Sequence, residues 1–156
     1  MRNNTFSRAP EVRMQNTTLS RAAAVGTLAQ VRELLKGGAN VKATNSKGTT
    51  ALMWACARGN VHIVKELLDH GANASAANKD GLTSLMLAAT GGFPGVVRML
   101  IEYGADVQAT AINGDTALTR ASVTSNRFVI TLIKNASGSS SEPKGDPLVG
   151  AVAAAD

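Results

Sequence analysis

Residues 48–73 read G-T-T-A-L-M-W-A-C-A-R-G-N-V-H-I-V-K-E-L-L-D-H-G-A-N, and residues 81–106 read G-L-T-S-L-M-L-A-A-T-G-G-F-P-G-V-V-R-M-L-I-E-Y-G-A-D. The two stretches run in register at an offset of 33 residues. Gly48, Gly81 and Gly114 keep that interval, as do Gly38, Gly71 and Gly104, each followed by Ala and then Asn or Asp. So do Leu19, Leu52, Leu85 and Leu118, and likewise Ala22, Ala55, Ala88 and Ala121. Leu34, Leu67, Leu100 and Ile133 form a further column, and Val31, Val64, Val97 and Ile130 another. A fixed period of this length marks a chain of stacked supersecondary units.

The second unit shows what one period encodes. Thr50 is placed to cap a helix over residues 51–58, its side-chain oxygen accepting from the first free N–H groups. Leu52 and Ala55 share one face of that helix, and Gly59 supplies the left-handed residue that ends it. Asn60 then caps a second helix, whose Ile63, Val64, Leu67 and Leu68 form an apolar stripe. Gly71 stops this helix, and the chain runs out and back with Asn78-Lys79-Asp80-Gly81 at the tip of a turn. In the third unit Pro94 falls at a helix start, where its missing N–H does no harm. A helix pair this small cannot hide its own stripe, so the units must stack. Small residues in the alanine column let neighbouring helices approach closely. The expectation is an all-α solenoid of four helix-turn-helix units joined by hairpin loops, over residues 12–44, 45–77, 78–110 and 111–137. Residues 1–11 form an N-terminal extension. Residues 138–156, without periodicity and rich in Gly, Ser, Pro and Ala, read as a disordered tail.

The unit resembles the ankyrin repeat, whose pattern runs roughly G-x-T-P-L-H-x-A-A-x-x-G, an apolar helix, then L-L-x-x-G-A-D. The resemblance spans about residues 12–137. It departs at the Pro and His of T-P-L-H, where the chain has Thr17-Thr18-Leu19-Ser20, Thr50-Ala51-Leu52-Met53, Thr83-Ser84-Leu85-Met86 and Thr116-Ala117-Leu118-Thr119. In the family that His ties adjacent units by hydrogen bonds. Met53 and Met86 can only pack, so the units are expected to cohere less stiffly. In the last unit Ser125 replaces the helix-stopping Gly and Lys134 a core Leu, which reads as a capping unit with a polar outer face. Where ankyrin hairpins often carry a hydroxylatable Asn, this chain has Lys42, Ser75 and Gln108.

Composition narrows function further. Charged residues make up 17% and aromatics only 3% of 156 residues, so the core rests on Ala, Val, Leu and Ile. The single Cys56 excludes an internal disulfide framework and any Cys-based zinc site. It shares a column with Ala23 and Ala89, which reads as a small buried apolar residue. His62 falls outward, and His70 lies at a helix C-terminus, where a cation is favoured. Neither has a partner at metal-ligand spacing, and no Walker loop, dinucleotide fingerprint or nucleophile elbow occurs. The chain is therefore expected to be no enzyme, with no catalytic residues, cofactor or metal. Without an apolar leader or a membrane-length apolar run it is expected in the cytoplasm, or in the nucleus. Residues 1–21, with four Arg against Glu11, also have the basic, acid-poor composition of an organellar transit peptide, but the first unit claims most of that stretch.

The resemblance places partner binding on the concave face, formed by the hairpin tips and the exposed side of the first helices. Carried over position by position, it selects Arg21, Lys47, Thr49, Trp54, Arg58, Lys79, Asp80, Leu82, Asn113 and Asp115. Trp54, the only Trp, is either a binding hot spot or packing between first helices. Residues 1–65 hold ten Lys/Arg against two Asp/Glu, and residues 66–156 six against nine. The basic set Arg21, Lys47, Arg58 and Lys79 suggests an acidic segment on the partner. The function implied is a monomeric adaptor or scaffold that binds protein, without a small-molecule substrate or membrane. An inhibitor of a partner enzyme such as a kinase is the alternative, although such four-repeat inhibitors share a shortened helix where residues 51–58 make a full one. Nucleic acid is a weaker reading, because the basic set lacks interleaved aromatics.

Overall fold

The computed structural model describes residues 18–138. The proposed extension over 1–11, the start of the first unit, and the tail beyond residue 138 lie outside the described residues. Eight helices follow one another: α1 (18–25), α2 (Leu28–Lys36), α3 (Ala51–Arg58), α4 (Val61–Asp69), α5 (Ser84–Gly91), α6 (Pro94–Glu102), α7 (Ala117–Thr124) and α8 (Arg127–Gly138). The described residues contain no strand, only isolated bridges between Thr44 and Thr50 and between Ala77 and Thr83. Helices α3, α5 and α7 pack in succession as an inner layer, and α2, α4, α6 and α8 as an outer one.

Each helix begins and ends where its sequence dictates. Thr50, Thr83 and Thr116 accept from the amides of Met53, Met86 and Thr119, each at 3.2 Å. Asn60 and Asn126 cap α4 and α8 in the same way. Gly59 and Gly92 end α3 and α5 at φ of 75° and 71°. Ser125 takes that role after α7 at φ 56°, the one non-glycine at positive φ among the described residues. Phe93 departs from the Asn pattern. It makes no side-chain cap, and Pro94 opens α6. Its ring instead lies over Gly59 and Gly91, where an added Cβ would come within 2.6 and 2.2 Å of ring carbons.

The core is the set of repeating columns. Ala55, Ala88 and Ala121 are fully buried, as are Leu67, Leu100 and Ile133. Met53 and Met86 are buried too, packing where the family has its His. Burial fails at the ends for a plain reason: a column facing the neighbouring unit loses its cover when no described unit follows or precedes. Leu52 and Leu85 are buried but Leu118 only half-buried. Val64 and Val97 are buried but Ile130 half-buried, and at the other end Leu34 is half-buried where Leu67 is not. The polar outer face expected of the last unit is only partly present. Ser122 and Lys134 are exposed, but so are Val123 (85%) and Phe128 (75%).

The missing His network leaves the units tied at other points. Arg32 Nε donates to Glu66 at 3.0 Å, and Asn126 Nδ2 to the Gly92 carbonyl at 3.1 Å. Asp106 N donates to Ser75 Oγ at 3.0 Å. Tyr103, at the end of α6, donates its hydroxyl to Asp69 at the end of α4, and Lys65 Nζ reaches the same carboxylate at 2.9 Å. The Tyr103 bond, then that of Lys65, holds the Asp69 carboxyl below its ordinary range. A carboxyl so lowered contributes stability above its unfolded pKa, and that contribution is lost as pH falls through the folded value. An NMR titration should therefore place the Asp69 midpoint below that of an ordinary aspartate, and Tyr103→Phe should move it upward. An unmoved midpoint would mean that the bond between units does not form in solution.

The stacking columns carry the larger energies. Leu67→Ala should cost about 2–5 kcal/mol, as cavity-forming core truncations do, against no resolvable loss for the exposed Lys42→Ala. Because each unit is covered only by its neighbours, one cooperative transition should move, which a denaturant melt followed by circular dichroism checks.

Candidate functional site

The candidate site is built from hairpin loops held above the inner helices. Asn45 Oδ1 accepts from the amides of Lys47 and Thr49 at 2.8 and 2.9 Å, and Asn78 Oδ1 from those of Asp80 and Leu82 at 2.9 and 3.0 Å. Each loop is thus wound around one asparagine side chain. Successive loops are then bonded through the main chain, Lys79 N donating to Lys47 O at 2.9 Å and Ile112 N to Asp80 O at 3.0 Å. The turn glycines allow this approach. Gly81 stands at φ 80°, and a Cβ there would meet the Ala111 Cα at 3.0 Å. Around Gly114, in the last loop, that space is open.

Between these loops and the inner helices lies a groove of about 330 Å³. Asn45, Lys47, Thr49 and Asn78 line it from the loops, and Trp54, Ala57 and Leu87 from α3 and α5. Trp54 is 40% exposed while its helix neighbours Met53 and Ala55 are buried. Of the ten residues selected from the sequence, the groove brings together Lys47, Thr49 and Trp54. Lys79 and Asp80 are exposed on the adjacent loop, and Leu82 is partly buried against the core. Arg58 is exposed at the end of α3 and Arg21 on α1, beside a second hollow lined by Ala22, Val25 and Leu34 at the first unit. Asn113 and Asp115 stand apart, engaged with their own unit. Asn113 Nδ2 donates to Asp115 at 3.0 Å, and Asp115 pairs with Arg120 at 3.0 Å, which also donates to Thr90.

Arg120 is neutralised by Asp115, whereas the cations of Arg21, Lys47, Arg58 and Lys79 and the carboxylate of Asp80 make no ion pair among the described residues. Sequence reasoning passed over Asn45 and Asn78 as groove walls. The signal was present, because the two Asn stand 33 residues apart, but a polar turn residue carries no mark of facing a groove rather than water.

Chemistry is sparse around this groove. No group of His, Cys, Asp or Glu suited to a metal ion occurs among the described residues. His70 Nδ1 donates to the Glu66 carbonyl at 2.9 Å, and His62 is exposed. Burial pushes the Cys56 thiol up to about 12, an effect the nearby Ser84 hydroxyl reduces only in part. No helix among the described residues is long and apolar enough to cross a membrane.

The sequence pattern of the family described as ankyrin repeats (three copies) matches residues 19–111. The chain belongs to the ankyrin-repeat family. Ankyrin repeats generally serve as protein–protein interaction modules and are typically non-catalytic. The match covers the first three units. The fourth, α7 and α8, continues the same packing on α5 and α6 although Ser125 and Lys134 depart from the pattern. A comparison with curated proteins gives no match.

The raised Cys56 thiol has a measurable consequence. A buried neutral thiol is a poor nucleophile, so Cys56 should react with a thiol reagent only as fast as the protein unfolds. Because the folded value lies above the unfolded one, stability from this group is complete below the unfolded pKa and declines as pH rises toward about 12. Rapid stoichiometric labelling of native protein at neutral pH would show that the thiol is not buried.

Proposed function

We propose that this ankyrin-repeat chain is a non-catalytic adaptor or scaffold that holds a partner protein on the face formed by its loops and inner helices. The observation that carries the reading is the half-exposed Trp54 in a groove that Lys47 also lines, with neither Lys47 nor Lys79 of the adjoining loop making an ion pair among the described residues. Trp and Arg are the side chains most enriched where binding energy concentrates. Unpaired positive charge on such a face favours a partner with an acidic segment, by steering encounter and by penalising basic competitors. The full length of α3 (Ala51–Arg58), equal to that of α5 and α7, favours the adaptor reading over that of a kinase inhibitor. The unpaired, buried Cys56 suits the reducing conditions of the cytoplasm or nucleus.

The test is a quantitative pull-down comparing wild type with Trp54→Ala plus Arg58→Glu, and with His62→Ala on the outer helix α4. Proteins retained by wild type and His62→Ala but lost from the double variant are the expected result. The association rate with such a partner should fall with added salt, since the screening length shrinks to about 8 Å at physiological ionic strength. Equal losses from both variants would place the partner elsewhere on the molecule.

A further inference from the structure

Lys47 and Lys79 stand on loops whose main chains are bonded directly, Lys79 N to Lys47 O at 2.9 Å. Both side chains are exposed, and neither finds a carboxylate within ion-pair distance among the described residues. An arriving anion would supply these exposed ammonium groups with the counter-charge they lack. Lys47 lines a groove whose floor is apolar, formed by Trp54, Ala57 and Leu87, and Lys79 follows the lining residue Asn78 on the adjoining loop. The groove's volume of about 330 Å³ lies at the small end of the roughly 300–1,000 Å³ typical of ligand sites. That is room for an inserted side chain, not for a bulky cofactor. On α7, Arg120 is already neutralised by Asp115 at 3.0 Å, whereas the two bonded loops present Lys47 and Lys79 against the single carboxylate of Asp80, a net positive charge on that side of the apolar floor.

We infer that the groove takes a linear peptide in which one large apolar side chain seats against Trp54 and Leu87 while flanking carboxylates meet Lys47 and Lys79. This rests on the protein-binding reading above and adds to it the chemistry and the polarity of the bound segment. The loops that carry the lysines are wound around Asn45 and Asn78, so the loop main chain is preformed and the ordering cost of binding falls mainly on the peptide. A single-stranded nucleic acid would also satisfy the lysines, but its bases need a run of stacking rings. Trp54 is the only ring lining the groove.

The probe is a phage-displayed library of random linear peptides panned against the full chain, with selected peptides then synthesised and titrated by fluorescence anisotropy. The expected sequences carry Asp or Glu on one side of a Leu, Ile, Phe or Trp. Trp54→Ala should weaken them about thirtyfold, the loss of a packed aromatic anchor. Lys47→Glu with Lys79→Glu should weaken them at least about tenfold, and His62→Ala should leave them unchanged. Each variant is checked for an unchanged helical melt, and the doubly exposed lysine pair gives a readout even if Trp54→Ala unfolds. Neutral or basic sequences that still lose binding to Trp54→Ala would overturn the inference while leaving the protein-binding face in place. Failure to enrich any peptide would overturn it in the same way, in favour of a folded partner. Peptides that bind both variants as well as wild type would sink the inference and the choice of face together. Tighter binding of a labelled oligothymidylate than of any selected peptide would overturn it in favour of nucleic acid.

Discussion

Everything in this molecule depends on the contact between one helix pair and the next. A unit of two short helices exposes an apolar column on either side, and water is kept from it only by the adjoining unit. Ala55, Ala88 and Ala121 are fully buried, and side chains so small suit the close approach of the inner helices. Burial of Leu67, Leu100 and Ile133 follows from that approach. The same dependence explains the ends. Leu34, Leu118 and Ile130 are half-buried although their columns are buried further inside. A solenoid of this kind is as stable as its interfaces, with terminal units the least covered.

The stack also fixes the loops. Since inner helices repeat at a set spacing, the hairpins above them must meet, and their main chains bond from Lys47 to Lys79 and from Asp80 to Ile112. Such contact leaves no space for a Cβ at Gly81. Loop side chains therefore project from a rigid rail instead of from independent mobile turns. Rigidity of this sort lowers the ordering cost of recognition. Among the described residues the first three units carry the unpaired Arg21, Lys47, Arg58, Lys79 and Asp80, and the fourth a self-satisfied Asn113–Asp115–Arg120 cluster.

Ties between units have moved to the surface. With Met53 and Met86 buried where the family carries its His, coherence rests on packing inside and on polar links outside, such as Tyr103 to Asp69 and Asn126 to Gly92. Exposed links of this type are individually weak. Their placement at successive unit boundaries still sets the register in which the units meet.

Much of this was legible from the chain alone. A period of 33 residues fixed the units, the threonine caps, the glycine stops and the buried columns, because those depend on contacts within one unit or on a face that recurs identically. Ser125 stood out in the sequence as a departure from the helix-stopping glycine, yet it adopts the same left-handed conformation, φ 56°. What periodicity cannot supply is the offset between neighbours. Tyr103 and Asp69, Arg32 and Glu66, and Asn126 and Gly92 are all 34 residues apart, and Arg120 reaches Thr90 over 30. None of these shares a column. Whether Asp115 was free to bind a partner or held by Arg120 within its own unit, and whether Trp54 was core or surface, likewise turned on side-chain placement in the folded stack. The sequence determined which residues recur on each face. Only tertiary structure decided which of them touch, because side-chain reach and the displacement of one unit over the next set those distances.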